Sequence, residues 1–460
     1  MYPDPEGYKT INSGKAGQII MALSLHGAHV PHRKNTAGMP AVRMDTPKTV
    51  SIPVLMHIGK PASPIVKAGD HVDVGTLIAK QEGAVSCDIH SSVSGTVKKV
   101  DETLLSNGST CKLIIIESDG EMTLDPGIAP PSINSKDELI EAIRASGIVG
   151  LGGAGFPTHV KFNVDPSRIE ELIINGAECE PYITSDTRTM IDRADDMAYA
   201  IGLFKKFMGI KKIIIGIENN KPEAIAEMKK LAENDSDITV SVLPAIYPQG
   251  GEKVMIYHTT GKIVKLGKLP IDVGCIVTNC TTMADIGRYA KTGMPLVEKC
   301  VTVDGSAVNE PKNVIVPIGT SMEEVFNFCG GFKSEPGKVF YGGPMMGVTV
   351  PDIGQPILKN TNAIIAFNEK DAKLGQTEAC IRCGKCINVC PFGINPPRIE
   401  RALREKDPEA MIKYGASACM ECGCCSYVCP ANRPLVQRNK MAKGEIKEHY
   451  ARIAAKEAKK

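Results

Sequence analysis

The sequence predicts a multidomain chain of mixed class: a β-sandwich, an α/β core, a small strand-and-helix module and a helical, cysteine-rich end. Three observations carry this. At 460 residues the chain can hold about three or four domains. Its periodicity shifts from short strands between glycine turns to strands alternating with helices. And nine of its 16 cysteines fall between Cys380 and Cys429.

Composition excludes several classes. The 43% hydrophobic content rules out global disorder. A formal net charge of +2 gives no broad field for nucleic acid, and 5% aromatics with no Trp argue against a base-stacking surface. No apolar run is long enough for a transmembrane helix. The start, Met1-Tyr2-Pro3-Asp4, has no basic n-region, and Ile19 to Leu25 is too short for a signal peptide. Sixteen cysteines without a signal peptide point to a reducing compartment, where clustered thiols bind metal.

The elements follow in order. Residues 1–47 read as an extended arm. His26, His29 and His32 stand three apart there, but with no helical pattern or neighbouring acid a surface arm is expected rather than a metal site. Residues 48–118 read as short strands: Val66 to Val72 and Ser94 to Val97 alternate apolar and polar residues around glycine turns. This resembles a biotinyl/lipoyl-like sandwich. A carrier domain needs a lysine at its hairpin tip; here the tip falls at Gly83-Ala84 and Lys80 stands off it, so a docking role is expected. Pro126, Pro130 and Pro131 mark a linker. Ser135 to Glu138 is a capping-box opening for a helix to Ala145.

Residues 135–295 read as a Rossmann-like α/β domain. Strands are expected at Glu171 to Asn175, Lys212 to Ile217, Thr239 to Leu243 and Cys275 to Thr278, with helices at Asp195 to Met208 and Lys221 to Glu233. Residues 296–335 give a strand and turn at Cys300 to Gly305, a strand at Val314 to Pro317 and a helix from Thr320 to Cys329, an order that resembles the β-grasp ligand-binding module. Residues 336–368 read as a Gly-rich connecting segment. Residues 369–435 form the cysteine domain, with one helix from Pro396 to Lys413. The tail, 436–460, carries eight Lys/Arg against three Glu and reads as a basic helix or frayed end.

Cys380-x2-Cys383-x2-Cys386-x3-Cys390-Pro391 is a bacterial ferredoxin run, and Cys419-x2-Cys422-x2-Cys425-x3-Cys429-Pro430 repeats it. Two-residue gaps let three thiolates wrap one face of a cubane. In two-cluster ferredoxins the fourth cysteine of each run serves the other cluster. The expected sets are therefore Cys380, Cys383, Cys386 and Cys429 for cluster 1, and Cys419, Cys422, Cys425 and Cys390 for cluster 2. Paired C-x2-C zinc sites would not need two complete runs. Cys424 falls out of register and reads as a spare buried thiol.

Four loops suggest a nucleotide. Gly150-Leu151-Gly152-Gly153-Ala154-Gly155-Phe156-Pro157 lets backbone N–H groups approach an anion or a planar ring, with Lys161 adding a point charge. Asn175 to Tyr182, Gly250 to Lys253 and Asn279 to Thr282 bring polar groups to strand ends, where open α/β sheets bind ligands.

The glycine loop with Lys161 resembles the FMN loop of the NADH-binding flavoprotein subunit of respiratory complex I. Asn175 to Pro181 resembles that family's acidic loop, with Ala177 in place of its Asp. The module order across nearly the whole chain resembles the C-subunit of Rnf-type ion-translocating ferredoxin:NAD oxidoreductases. The resemblance implies two 4Fe–4S clusters, FMN and NAD(H). FMN would meet Gly152, Gly153, Gly155, Lys161, Asn175, Glu178, Gly251, Glu252 and Asn279. The nicotinamide nucleotide would lie near Phe156 and Phe162, with Glu180 by a ribose. Lys253 stands where the family has a second Glu and could tolerate a 2′-phosphate, which leaves NADH and NADPH both open.

The implied function is hydride exchange between NAD(H) and FMN and single-electron passage through the clusters, with no catalytic side chain. Ion translocation would belong to membrane and ferredoxin-like partner subunits, which would hold this chain at the cytoplasmic face. Ferredoxin would be reached through the complex, and no nucleic acid is expected. A cobalamin reductase of the same broad family orders its modules differently. A cluster-only electron wire or docking subunit would bind no FMN.

Overall fold

A computed structural model describes residues 27–106 and 108–457. The expected features at Ile19 to Leu25 and His26 lie outside these residues. Among the described residues, no helix is long and apolar enough to cross a membrane.

The first module is built from two small antiparallel sheets. One orders Thr49–Pro53, Thr110–Ser118, Gly95–Leu104 and His71–Val72; the other orders Ser63–Pro64, Leu77–Lys80 and Ile89–His90. Val50, Ile52, Ile114 and Ile116 alternate inward, which buries one face of each strand. Val66 to Asp70 is a turn rather than a strand, because the Asp70 carboxylate accepts the Lys67 N–H at 2.9 Å. The hairpin between Leu77–Lys80 and Ile89–His90 carries exposed Gly83-Ala84 at its turn.

The second module is a four-stranded parallel sheet ordered Ile238–Leu243, Ile213–Glu218, Glu171–Asn175, Cys275–Asn279. The central strands are apolar on both faces, as covering by helices on both sides demands. Leu172, Ile174 and Ile215 pack with Met197, Phe204 and Met283 of the helices Ala194–Met208 and Cys280–Thr292. Ile173, Ile214 and Val277 face Met255 and Ile256 of the helix Glu252–Thr260. The chain reverses direction across the sheet between Glu171–Asn175 and Cys275–Asn279, so the crevice lies at their carboxyl ends.

The third sheet is mixed and six-stranded: Ala41–Arg43, Lys312–Pro317, Glu298–Asp304, Ala363–Asn368, Pro336–Tyr341, Val348–Val350. It corrects two expectations. Residues 336–368 are not merely a connector: they supply three strands, because Val339, Ile364 and Ala366 bury in one core with Val301, Val303 and Phe326. Nor is the described part of the arm a surface feature. Ala41–Arg43 pairs in the sheet, Thr36 is buried against Thr184, and the Lys34 ammonium donates to the carbonyls of Glu178, Glu180 and Ile183 at 2.5–2.8 Å. His29 is exposed and His32 half-buried.

The cysteine-rich end is helical between its motifs. The single helix expected over Pro396 to Lys413 is two, Pro396–Arg404 and Pro408–Lys413. Pro408 cannot extend the first, and Asp407 caps the second through the Ala410 N–H at 3.0 Å. The tail forms the helix Leu435–Glu457, docked through Ala442 and Ile446 onto Ile399 and Met411.

Candidate flavin and iron–sulfur site

Asn175 and Asn279 end the two strands at the reversal point and stand opposite each other in register. Asn279 caps the helix Cys280–Thr292: its Oδ1 accepts from the Thr281 and Thr282 N–H groups at 2.9 and 3.2 Å, and its Nδ2 donates to Asp186 at 2.7 Å. Asn175 Nδ2 donates to the Gly250 carbonyl at 2.8 Å, tying the third loop to the strand end. The Leu151 N–H donates to Thr282 Oγ1 at 3.0 Å and brings the glycine-rich loop over the same point. Lys161 donates to the Val277 carbonyl at 2.8 Å and meets Glu252 at 3.1 Å. Gly152, Lys161, Asn175, Gly251, Glu252 and Asn279 therefore belong to one crevice. The N–H groups of Gly152, Gly153 and Ala154 find no acceptor among the described residues, and the three residues are exposed. Unpaired adjacent donors beside a lysine suit a phosphate or the carbonyl edge of a flavin.

Five of the expected residues have protein partners of their own. Phe162 ends the short helix Thr158–Phe162, is fully buried, and packs on Phe204 with ring centroids 4.3 Å apart. It cannot stack on a nucleotide; Phe156, half-buried beside the loop, remains free to do so. Glu178 is buried at the start of the helix Ser185–Asp192. Its carboxylate accepts from the Asp186 N–H at 2.8 Å and from Thr187 Oγ1 at 2.8 Å, a capping role. Glu180 accepts from the Met345 and Met346 N–H groups at 3.0 and 2.7 Å, and burial pushes its carboxyl up to about 7. Its side chain is partly exposed beside exposed Met346. Lys253 reaches the Lys265 carbonyl at 3.3 Å on the outer side of its helix. Gly155 is buried, its carbonyl turned to the sandwich.

Cys390 lies among thiols of the second run, in one recess with Cys419, Cys422 and Cys425. Burial pushes the Cys386 thiol up, and the thiols of Cys429, Cys383 and Cys380 add to it. Burial likewise pushes Cys425 up to about 12, with Cys419, Cys422 and Cys390 adding. Cys390, Cys419, Cys422 and Cys425 line one recess together with Asn439 and Val436. Cys380 and Cys383 are exposed, as are Leu374 and Ile381 beside them. Cys424 lines that recess too, and its Sγ approaches the Tyr247 carbonyl at 3.6 Å.

The second set is docked on the crevice. Tyr247, just before the Gly250-Gly251 loop, donates its hydroxyl to the Cys422 carbonyl at 2.7 Å. Met420, inside the second motif, lies so close to Gly251 that a Cβ there would stand 2.4 Å from its methyl. Tyr247, Met345 and Lys34 belong to no motif and Met420 is only a spacer in one, so nothing in the sequence marks them beyond their nearness to the loops.

Four family models match the chain in succession. They are the RnfC barrel sandwich hybrid domain over residues 24–121, the Nuo51 FMN-binding domain over 143–288, the SLBB domain over 300–349 and the 4Fe-4S dicluster domain over 373–430. The C-subunit of the proton-translocating ferredoxin:NAD(+) oxidoreductase complex of Clostridium ljungdahlii is 42% identical over 431 residues, covering 92% of this chain and 94% of that one. The C-subunit of the Na(+)-translocating complex of Acetobacterium woodii is 42% identical over 427 residues, covering 91% and 96%. A chain of an air-oxidised NAD+-reducing NiFe hydrogenase aligns over 60% of this chain and 54% of its own, at 19% identity and a TM-score of 0.47.

Proposed function

The chain belongs to the C-subunit family of ion-translocating ferredoxin:NAD(+) oxidoreductase complexes, and from that premise we propose how its residues serve the electron transfer. It is an FMN- and iron–sulfur-binding oxidoreductase subunit of an Rnf-type complex, peripheral to the membrane, with the other Rnf subunits as partners. We place it on the cytoplasmic face. Its modules run from the sandwich at 48–118 through the flavin domain at 135–295 to a β-grasp unit that extends from 296 to 368, then the cluster domain at 369–435.

A bound flavin supplies the conversion between two-electron nicotinamide chemistry and one-electron cluster chemistry. The chain's part is to bind, orient and connect. Gly152, Gly153, Lys161, Asn175, Gly251, Glu252 and Asn279 would hold FMN, with Phe156 as the apolar lip for the nicotinamide. Cys419, Cys422, Cys425 and Cys390 would hold the cluster next to that crevice. Cys380, Cys383, Cys386 and Cys429 would hold the one nearest the surface, where a partner can reach it.

One observation carries this reading: the crevice and the second thiol set share a contact through Gly251 and Met420, while Cys380 and Cys383 face outward. The test is anaerobic reconstitution of the full chain with iron, sulfide and FMN, followed by NADH titration. Retention of about one FMN and about eight irons, with NADH bleaching the flavin, is expected. Eight irons with no flavin and no response to NADH would make the chain a wire.

A further inference from the structure

Two residues from outside the flavin domain hold the glycine-rich loop by its carbonyls. Asn360 Nδ2 donates to the Gly153 carbonyl at 2.7 Å. The Ile58 N–H donates to the Gly155 carbonyl at 3.0 Å. Ile58 follows the sandwich strand Thr49–Pro53, and Asn360 precedes the strand Ala363–Asn368 of the mixed sheet. Met56 backs the loop as well: a Cβ on Gly155 would stand 3.3 Å from its carbonyl oxygen.

These bonds have a directional consequence. A planar trans peptide points the carbonyl of one residue and the N–H of the next to opposite sides. Pinning the Gly153 carbonyl on Asn360 therefore turns the Ala154 N–H the other way. That N–H has no acceptor among the described residues. The space beside Gly153 is open, with no heavy atom within 4 Å of where a Cβ would stand. Gly153 holds φ +153°, so no other residue fits this peptide geometry without strain. The donor is thus aimed at open space in a loop that is otherwise tied down.

We propose that Asn360 is a positioning residue of the nucleotide crevice, aiming the Ala154 N–H at a ligand oxygen. The Ile58 N–H is the second clamp of the same loop. This rests on the flavin and NAD(H) reading above. The ligand oxygen belongs to a phosphate or a ring carbonyl, carried by FMN or by NADH. The barrel sandwich is then a wall of the crevice as well as a docking module, and its Ile58 side chain is 48% exposed at that edge.

The test compares Asn360→Ala, Asn360→Asp and Asn360→Gln with the unaltered reconstituted chain. Loss of one hydrogen bond predicts about a 3- to 10-fold effect. Asn360→Ala and Asn360→Asp, neither of which donates, should weaken FMN retention or raise the KM for NADH by that factor. kcat per bound flavin at saturating NADH and iron content should stay unchanged, and Asn360→Gln should recover part of the loss. A weaker FMN affinity assigns the oxygen to the flavin; a raised KM with full FMN assigns it to NADH. Wild-type behaviour of Asn360→Ala in both measurements overturns the proposal, as does a general loss of iron and kcat, which marks a merely structural bond. Ile58→Pro, which deletes the second donor, should give the same signature. Failure of the unaltered chain to bind FMN refutes the flavin reading instead.

Discussion

Glu180 shows how burial sets a side chain's role. Its carboxyl is pushed up to about 7, first by burial, against the N–H bonds of Met345 and Met346 that pull it down. In the unfolded chain a Glu titrates near its ordinary value. Between that value and about 7 the unfolded state sheds its proton while the folded state keeps it. Folding stability should therefore fall as pH rises through this window, by of order 3 kcal/mol, and flatten above it. Chemical denaturation of the unaltered chain and Glu180→Gln between about pH 5 and about pH 8 checks this. The variant should lose the slope; an identical slope would place the titration elsewhere. Sequence could not reveal this, because Glu178 and Glu180 differ only in what packs over them. One caps a helix and the other faces a loop 165 residues away. Phe162 was illegible for a related reason: its neighbour Phe204 comes from a distant helix.

At the scale of elements, the cysteine runs were the most legible part of the chain. Ligand spacing is local, and two complete motifs can be read without knowing the fold. Cys390 lines the recess of Cys419, Cys422 and Cys425, and Cys429 packs in one cluster with Cys386, the neighbourhoods that crossed ligation needs. Cys390→Ala should accordingly damage the cluster of Cys419, Cys422 and Cys425 and spare the one held by Cys380, Cys383 and Cys386. Site-resolved EPR with the reverse pattern of loss would rule out crossed ligation. The two central parallel strands were equally plain, since each is a short, mostly apolar run ending in a polar loop. The arm was not. Lys34 looks like a surface lysine, yet it satisfies three carbonyls of the acidic loop, a pairing that only the tertiary fold creates. The strands of 336–368 were hidden by the glycines and prolines that punctuate them.

At the scale of the whole molecule, the modules converge on one crevice. The sandwich and Asn360 clamp the glycine-rich loop, the parallel sheet supplies the strand ends, and the second cysteine motif docks through Tyr247 and Met420. The first thiol set opens to the surface. This arrangement implies an order: nicotinamide and flavin at the crevice, then the cluster of Cys419, Cys422, Cys425 and Cys390, then the outer cluster, then a partner. The most direct measurement is rapid-freeze EPR of the reconstituted chain after mixing with NADH, with each cluster removed in turn. Without the outer cluster (Cys383→Ala), the inner one should still be reduced. Without the inner cluster (Cys422→Ala), reduction of the outer one should collapse while the flavin still bleaches. Reduction of the outer cluster at an unchanged rate in Cys422→Ala would contradict the order.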